Sequence, residues 1–318
     1  MREKNIDFSR RMGKIEISYV PVMDRRHRIP KRRKVLSDMT IKISSDSTCD
    51  LSSELINRYD VHIVPLSVSK DGVFYKDGLE IAPLDIFQHV SAGGGVCSTA
   101  AVNVDEYIQI FETLRRDNDA VIHFTISADM SCCYQNACLA AQEVPGVYVI
   151  DAENLSTGIG QLVIEASIMA GEGMEPQAIV EKINAMKKKL DVSFVIDTLE
   201  YLYKGGRCSS LAALGANLLS LKPCIEVVDG KMRVGKKYRG SLEKCLEKYV
   251  RERLADVETL DLHRIFITHS HMEQEKVDRI QAVVESCAPF EEILQTTAGC
   301  TISCHCGPNC LGILFFRK

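Results

Sequence analysis

The sequence predicts a two-domain α/β protein: a mostly parallel α/β/α N-terminal domain followed by an α+β C-terminal domain. From residue 40 to about 171, short β-rich runs alternate with segments of helical periodicity, the pattern of a largely parallel sheet covered on both faces. After about residue 174 the texture changes to helices interspersed with a hairpin and separate strands. The length of 318 residues, with 46% hydrophobic and 26% charged residues, suits one large or two modest domains with a real core. The chain therefore divides into a basic leader over 1–39, an N-terminal domain over 40–173 and a C-terminal domain over 174–318. The seam lies near Gly171–Pro176.

In the first domain, IKISS (41–45) is a short strand ending at Asp46, and a helix follows from about Ser52, with Asp50 or Ser52 as its cap. VHIVPLSV (61–68) reads as the second strand. SKDGVFYKDG (69–78) sets two Asp-Gly pairs around an aromatic run and reads as a hairpin or looped insert of about 69–80. A helix near 83–91 leads to three glycines and the polar CSTA stretch. VDEYIQIFETLRR (104–116) has helical spacing, AVIHFTI (120–126) is a strand, and a helix passes through 136–142. VYVID (147–151) is a strand before a helix over 155–171.

In the second domain a helix runs from Pro176 to about Leu190, a strand covers 193–199, and KGGR (204–207) is a turn. Residues 223–239 form a hairpin around Asp229-Gly230. Helices at 241–255 and 272–286, with strands at 264–268, 290–297 and 310–317, complete the unit. The polar turns after the early strands (DSTCDL, CSTA and SADMSCC) share one rim, because ligands of such sheets bind outside the carboxyl ends of the strands.

The formal net charge of −4 is a sum of unlike parts. Residues 1–38 hold 12 Lys/Arg and 5 Asp/Glu, whereas 39–318 hold 27 and 38. An acidic body without a basic stripe argues against nucleic acid. No run approaches the ~20 apolar residues that span a bilayer, which excludes an integral membrane protein. The leader lacks an apolar h-region and reads as an appendage outside the fold, with Met39 as a natural start. Thirteen scattered cysteines do not make a secreted disulfide framework. They fit small apolar filler in a reducing cytoplasm.

No strong catalytic signature occurs: GxxxxGK[ST], GxSxG and HExxH are absent. GIG (158–160) lies within a helix and reads as close packing. Cys300, Cys304, His305, Cys306 and Cys310 invite a metal reading, but the spacings do not match CxxC knuckles and cysteine-rich packing is favoured. The pair Cys132-Cys133 lacks redox CxxC spacing. In HSHMEQE, Ser270 reads as a helix N-cap with Glu273 three residues on. Arg207 sits on an exposed turn where a charge is normally solvated. His305 stands in the turn HCGPN, where it can be structural, donate a hydrogen bond to a carboxylate, or act as an acid–base group. One alternative is a hydrolase or acyltransferase with Ser98 as nucleophile and His305 as base. A metal- or redox-responsive regulator using Cys300–Cys310 is another.

Taken in order, DSTCDL (46–51), IVPLSV (63–68), CSTAA (97–101), HFTISADMSCCYQNA (123–137), VIDAENLSTGIG (149–160), DTLEYLYKGGR (197–207), HSHMEQE (269–275) and HCGPNCLGILFF (305–316) resemble the motifs of the DegV family. The resemblance covers residues 40–318. It implies a two-domain fatty-acid-binding protein with an acyl-chain tunnel between the domains, no cofactor, no metal and no catalytic residue. It further implies a carrier that presents the bound carboxylate to an ATP-dependent fatty acid kinase, which forms acyl phosphate. Carried over by motif, the carboxylate-holding residues are Ser67, Ser98 and His305. Thr99, Ser131 and Cys132 are neighbours in the headgroup turns, and Arg207 of the GGR turn is the kinase contact. This chain departs from the family pattern at CSTAA for TSQPS, MSCC for LSGT and HCGPN for HTGPG.

Overall fold

The computed structural model describes residues 39–208 and 221–318. The reading of residues 1–38 as an appendage lies outside the described residues. A four-stranded, wholly parallel sheet has the order β2-β1-β6-β7. It comprises β1 (Ile41–Asp46), β2 (His62–Val64), β6 (Ala120–Thr125) and β7 (Val147–Asp151). Every residue of β6 is buried, as expected for a central parallel strand covered on both faces. Its helices are α1 (Ser53–Arg58), α3 (Val104–Arg116), α4 (Cys133–Glu143), α5 (Thr157–Gly171) and α6 (Pro176–Met186). Ser52 caps α1 by accepting from the Leu55 N–H, and Asn103 caps α3 by accepting from the Glu106 N–H.

The second sheet has the order β10-β9-β8-β13-β11-β12 and is antiparallel except for its β11–β12 pair. It is built from β8 (Leu190–Val195), β9 (Leu221–Val228), β10 (Lys231–Arg239), β11 (Leu260–Ser270), β12 (Glu292–Thr297) and β13 (Cys310–Arg317). Helices α8 (Leu242–Arg253) and α9 (Gln274–Cys287) pack on one face through Tyr249, Val277 and Val284. The opposite face joins the core of the parallel sheet, with α5 between them. That helix is apolar nearly all round and carries Ile159, Leu162, Val163 and Ile164 fully buried, the pattern of a helix with no solvent face. Its two interior glycines are places of close approach: a β-carbon on Gly158 would fall 2.4 Å from the Asn154 side chain, and one on Gly160 2.8 Å from Leu51.

The hairpin expected at about 69–80 is formed by β3 (Ser67–Lys70) and β4 (Val73–Lys76), and β5 (Ser98–Ala100), from the CSTA stretch, adds an unexpected third strand to give an antiparallel insert of order β4-β3-β5. With α2 (Pro83–Ser91), α7 (Glu200–Gly205) and α10 (Cys300–Cys306) it encloses a small core of its own, including Val68, Phe87, Tyr201 and Cys304.

Several boundaries differ from the sequence reading. The single strand expected at 61–68 is two strands in different sheets, because Pro65 has no N–H to continue the β1 ladder. The Leu66 N–H turns instead to Ser47 Oγ. The helix expected to reach Leu190 stops at Met186, and Leu190 opens β8. KGGR is the end of α7, not an isolated turn. Ser270 is not an N-cap. It is the last residue of β11 and donates to the Gly307 carbonyl at 2.8 Å, while Glu273 precedes α9. His305 lies in the last turn of α10, and only Gly307 onward forms the turn.

Candidate ligand cavity

The residues after the parallel strands, the inner face of the second sheet, the insert and α10 enclose a cavity of about 280 Å³. Ile126, Leu155 and Ser156 follow the carboxyl ends of β6 and β7, the position that open α/β sheets give their ligands. Phe194, Thr268 and Leu314 come from the second sheet, and Thr301, Ile302 and His305 from one face of α10. The wall is chiefly apolar, with Thr99, Arg207 and His305 gathered at one end and further hydroxyls, among them Ser156, Ser193, Thr268 and Thr301, elsewhere along it.

At that end Thr99 Oγ1 and His305 Nε2 lie 3.0 Å apart. Burial pushes the imidazole down to about 4, with the Arg207 charge adding to the effect, so the ring is neutral at neutral pH. His305 Nδ1 has no hydrogen-bond partner among the described residues. A carboxylate that would complete a Ser/His/acid relay is therefore not in contact with it. The GGR motif acquires a physical role here. Gly205 backs onto the imidazole, Gly206 ends α7 in the left-handed region at φ 68°, and Arg207 is turned toward the cavity mouth. Arg207 is exposed, yet it donates to the Gly205 carbonyl at 2.6 Å and lies 3.4 Å from the Met130 carbonyl. Ser131 and the exposed Cys132 also line the mouth, just before the first residue of α4. The adjacent Cys133 is buried and its thiol is pushed up to about 12 by burial.

Strand pairing places the remaining candidates. Val68 pairs with Thr99, so their side chains share the face of the insert that packs toward α10. Ser67 pairs with Ala100, and Ser69 with Ser98, on the opposite face. Ser67 is half-buried and Ser98 exposed. Neither lines the cavity, although Ala100, beside both, does. The structure thus brings Thr99, Ser131, Cys132, Arg207 and His305 together, and leaves Ser67 and Ser98, expected to hold a carboxylate, outside the lining on the other face of the insert.

Two carboxylates that sequence reasoning did not single out hold α10 in place. Asp77 accepts from the Cys300 and Thr301 N–H groups at 2.9 and 3.0 Å, and from Ser47 Oγ. Asp50 accepts from the Gly299 N–H at 2.8 Å and from Ser156 Oγ at 2.5 Å. These satisfy amide donors that a helix start otherwise leaves unpaired. Burial pushes Asp50 up to about 8. A third acid, Asp46, accepts from Tyr107 Oη at 2.7 Å and the Ile126 N–H at 3.2 Å, fixing the chain where it enters the mouth turn. The available signal was the two acids of DSTCDL and the Asp-Gly of the insert, read only as caps and turns.

A family model described as "Uncharacterised protein, DegV family" matches residues 40–318. A DegV domain-containing protein of Caldanaerobacter subterraneus subsp. tengcongensis is 30% identical over 283 residues, 87% of this chain and 99% of that protein. Among solved structures, one described as fatty acid binding of a DegV family protein from Thermus thermophilus is 31% identical with a TM-score of 0.81. It covers 88% of this chain and 100% of that one. A stearic acid-binding protein from Eubacterium ventriosum is 27% identical with a TM-score of 0.76, covering 87% and 98%.

Proposed function

Because this chain belongs to the DegV family, we propose that its cavity binds a long-chain fatty acid, with the acyl chain inside and the carboxylate at the Thr99–His305 end. The carrying observation is the cavity itself: a largely apolar wall with hydroxyl, imidazole and guanidinium groups gathered at one end. Burial of methylene groups at about 0.8 kcal/mol each supplies most of the affinity. The carboxylate must keep hydrogen bonds, since an unpaired buried charge is far costlier. With Nε2 protonated, His305 donates to Thr99 Oγ1, which leaves the Thr99 hydroxyl proton for a ligand oxygen. Ser131 and Cys132 border it from the head of α4, whereas Ser67 and Ser98, outside the cavity lining and on the other face of the insert from Thr99, are left out of this carboxylate site. The likeness to fatty-acid-binding DegV structures supports this reading.

The proposal extends to a carrier role in the cytoplasm. The protein is not itself an enzyme but offers the carboxylate, beside the exposed Arg207, to an ATP-dependent fatty acid kinase that makes acyl phosphate. A hydrolase built on Ser98 finds less support, because His305 is engaged by Thr99 and has no acid partner among the described residues. Two measurements test the proposal. Displacement titrations compare a fatty acid with the alcohol of the same chain length. Tighter binding of the acid, lost in His305→Ala or Thr99→Val, supports the carboxylate site, and equal binding of acid and alcohol contradicts it. Incubation with a fatty acid kinase and ATP should give acyl phosphate only when this protein is present, and Arg207→Ala should slow it.

A further inference from the structure

The cavity wall holds a second polar patch, one helical turn inward from His305. Thr301 is 4% exposed, lines the cavity, and gives its N–H to Asp77. Its Oγ1 is buried without a partner among the described residues. The other wall hydroxyls are engaged. Thr99 meets His305 and Ser131 meets Cys133. Ser156 donates to Asp50, Ser193 to Tyr249, and Ser270 to the Gly307 carbonyl, while Thr268 lies between two threonine hydroxyls. Leaving one buried hydroxyl unsatisfied among apolar neighbours is unfavourable.

Ser156 stands beside it. Its backbone is held at φ 51°, ψ −144°, a conformation few non-glycine residues adopt. Its hydroxyl reaches the same Asp50 carboxyl that binds the Gly299 N–H, two residues before Thr301. A strained serine and an orphaned threonine therefore line the same cavity and are linked through Asp50 and Gly299, with Leu155, Ala298 and Ile302 as apolar lining neighbours in sequence.

We propose that Thr301, with Ser156 beside it, is a specificity site for long-chain fatty acids bearing a hydroxyl group part-way along the chain. The proposal rests on the fatty-acid reading above. Thr301 precedes His305 by four residues, about 6 Å along the helix axis. An extended chain advances about 1.2 Å per bond, so the recognised hydroxyl lies roughly five to seven carbons from the carboxyl group. There the ligand hydroxyl donates to Thr301 Oγ1, or accepts from it, and completes the bond the protein leaves open.

The test measures displacement constants on the full chain for stearic acid and three hydroxystearic acids. Their hydroxyls lie next to the carboxyl group, in the five-to-seven-carbon region, and near the methyl end. The middle isomer should bind about fivefold tighter than the other two, the size of one net hydrogen bond. Thr301→Val should abolish that ratio and Thr301→Ser should keep it. Equal binding of the three isomers by the wild-type protein overturns the proposal, as does a ratio that survives in Thr301→Val. Should Thr301→Val fail to fold, the wild-type ranking decides alone. If folded wild-type protein binds no stearic acid, the fatty-acid reading fails and takes this one with it. Stearic acid binding without isomer preference removes only this one.

Discussion

A β-carbon on Gly205 would fall 2.2 Å from His305 Nδ1, so the end of α7 and the imidazole of α10 meet with no room for a side chain. Gly205→Ala must push the ring away from Thr99 and break their 3.0 Å contact. Fatty-acid affinity should fall about tenfold, the value of one hydrogen bond in the carboxylate relay. Gly206→Ala at φ 68° should instead cost about 1 kcal/mol of stability. Paired titrations and urea melts of the two variants separate the effects.

The acid side of the stability profile should carry the signature of His305. Its folded imidazole is pushed down to about 4 by burial, against ~6.5 in the unfolded chain. Between those values only the unfolded chain binds the proton, so stability falls as pH drops from about 6.5 toward 4. His305→Gln should make the slope of urea midpoints against pH shallower in that window. An unchanged slope would mean that the ring titrates normally.

Asp50 should act with the opposite sign. Burial pushes its folded carboxyl up to about 8, against ~3.9 unfolded. In that interval the folded state keeps a proton the unfolded state has lost, so this contribution falls as pH rises from about 4 to 8. Asp50→Asn mimics the protonated form, with an oxygen for the Gly299 N–H and an amide for Ser156 Oγ. It should flatten the profile between those values, checked by the same urea midpoints.

Asp77 ties the insert to the helix that carries His305. Asp77→Ala leaves the Cys300 and Thr301 N–H groups without their acceptor, which should cost about 1–3 kcal/mol for each buried donor left unpaired. Loss of hydrogen-exchange protection confined to the start of α10 would locate the damage there. A variant as stable as the wild type would show that the carboxylate is dispensable.

What the sequence made legible follows the range of the interactions involved. The period of VDEYIQIFETLRR gave α3 its observed limits, Val104–Arg116, because helical spacing and its Asn103 cap are local. The Asp229-Gly230 hairpin was legible for the same reason, since its turn needs two positive φ values, 49° and 77°. The break at Pro65 was harder to read: the residues after it are strand-forming, and only the register with β1 and β5 shows that they change sheets. Helix α10 has no local signature, so that His305 reads as part of the HCGPN turn, because a seven-residue helix rich in Cys, Ser and Thr has little intrinsic helicity. Its start depends on Asp50 and Asp77, each more than two hundred residues away. Within the site, His305 and Arg207 could be picked out by motif. Thr99's contact with His305 spans 206 positions and no local pattern announces it.

The most direct test of the central claim is native mass spectrometry of gently purified protein, followed by extraction and identification of any bound lipid. One long-chain fatty acid per chain should be released on denaturation, with His305→Ala retaining less of it. A folded protein that carries no acyl ligand, and takes up none when fatty acid is added, would show that the cavity does not bind fatty acids.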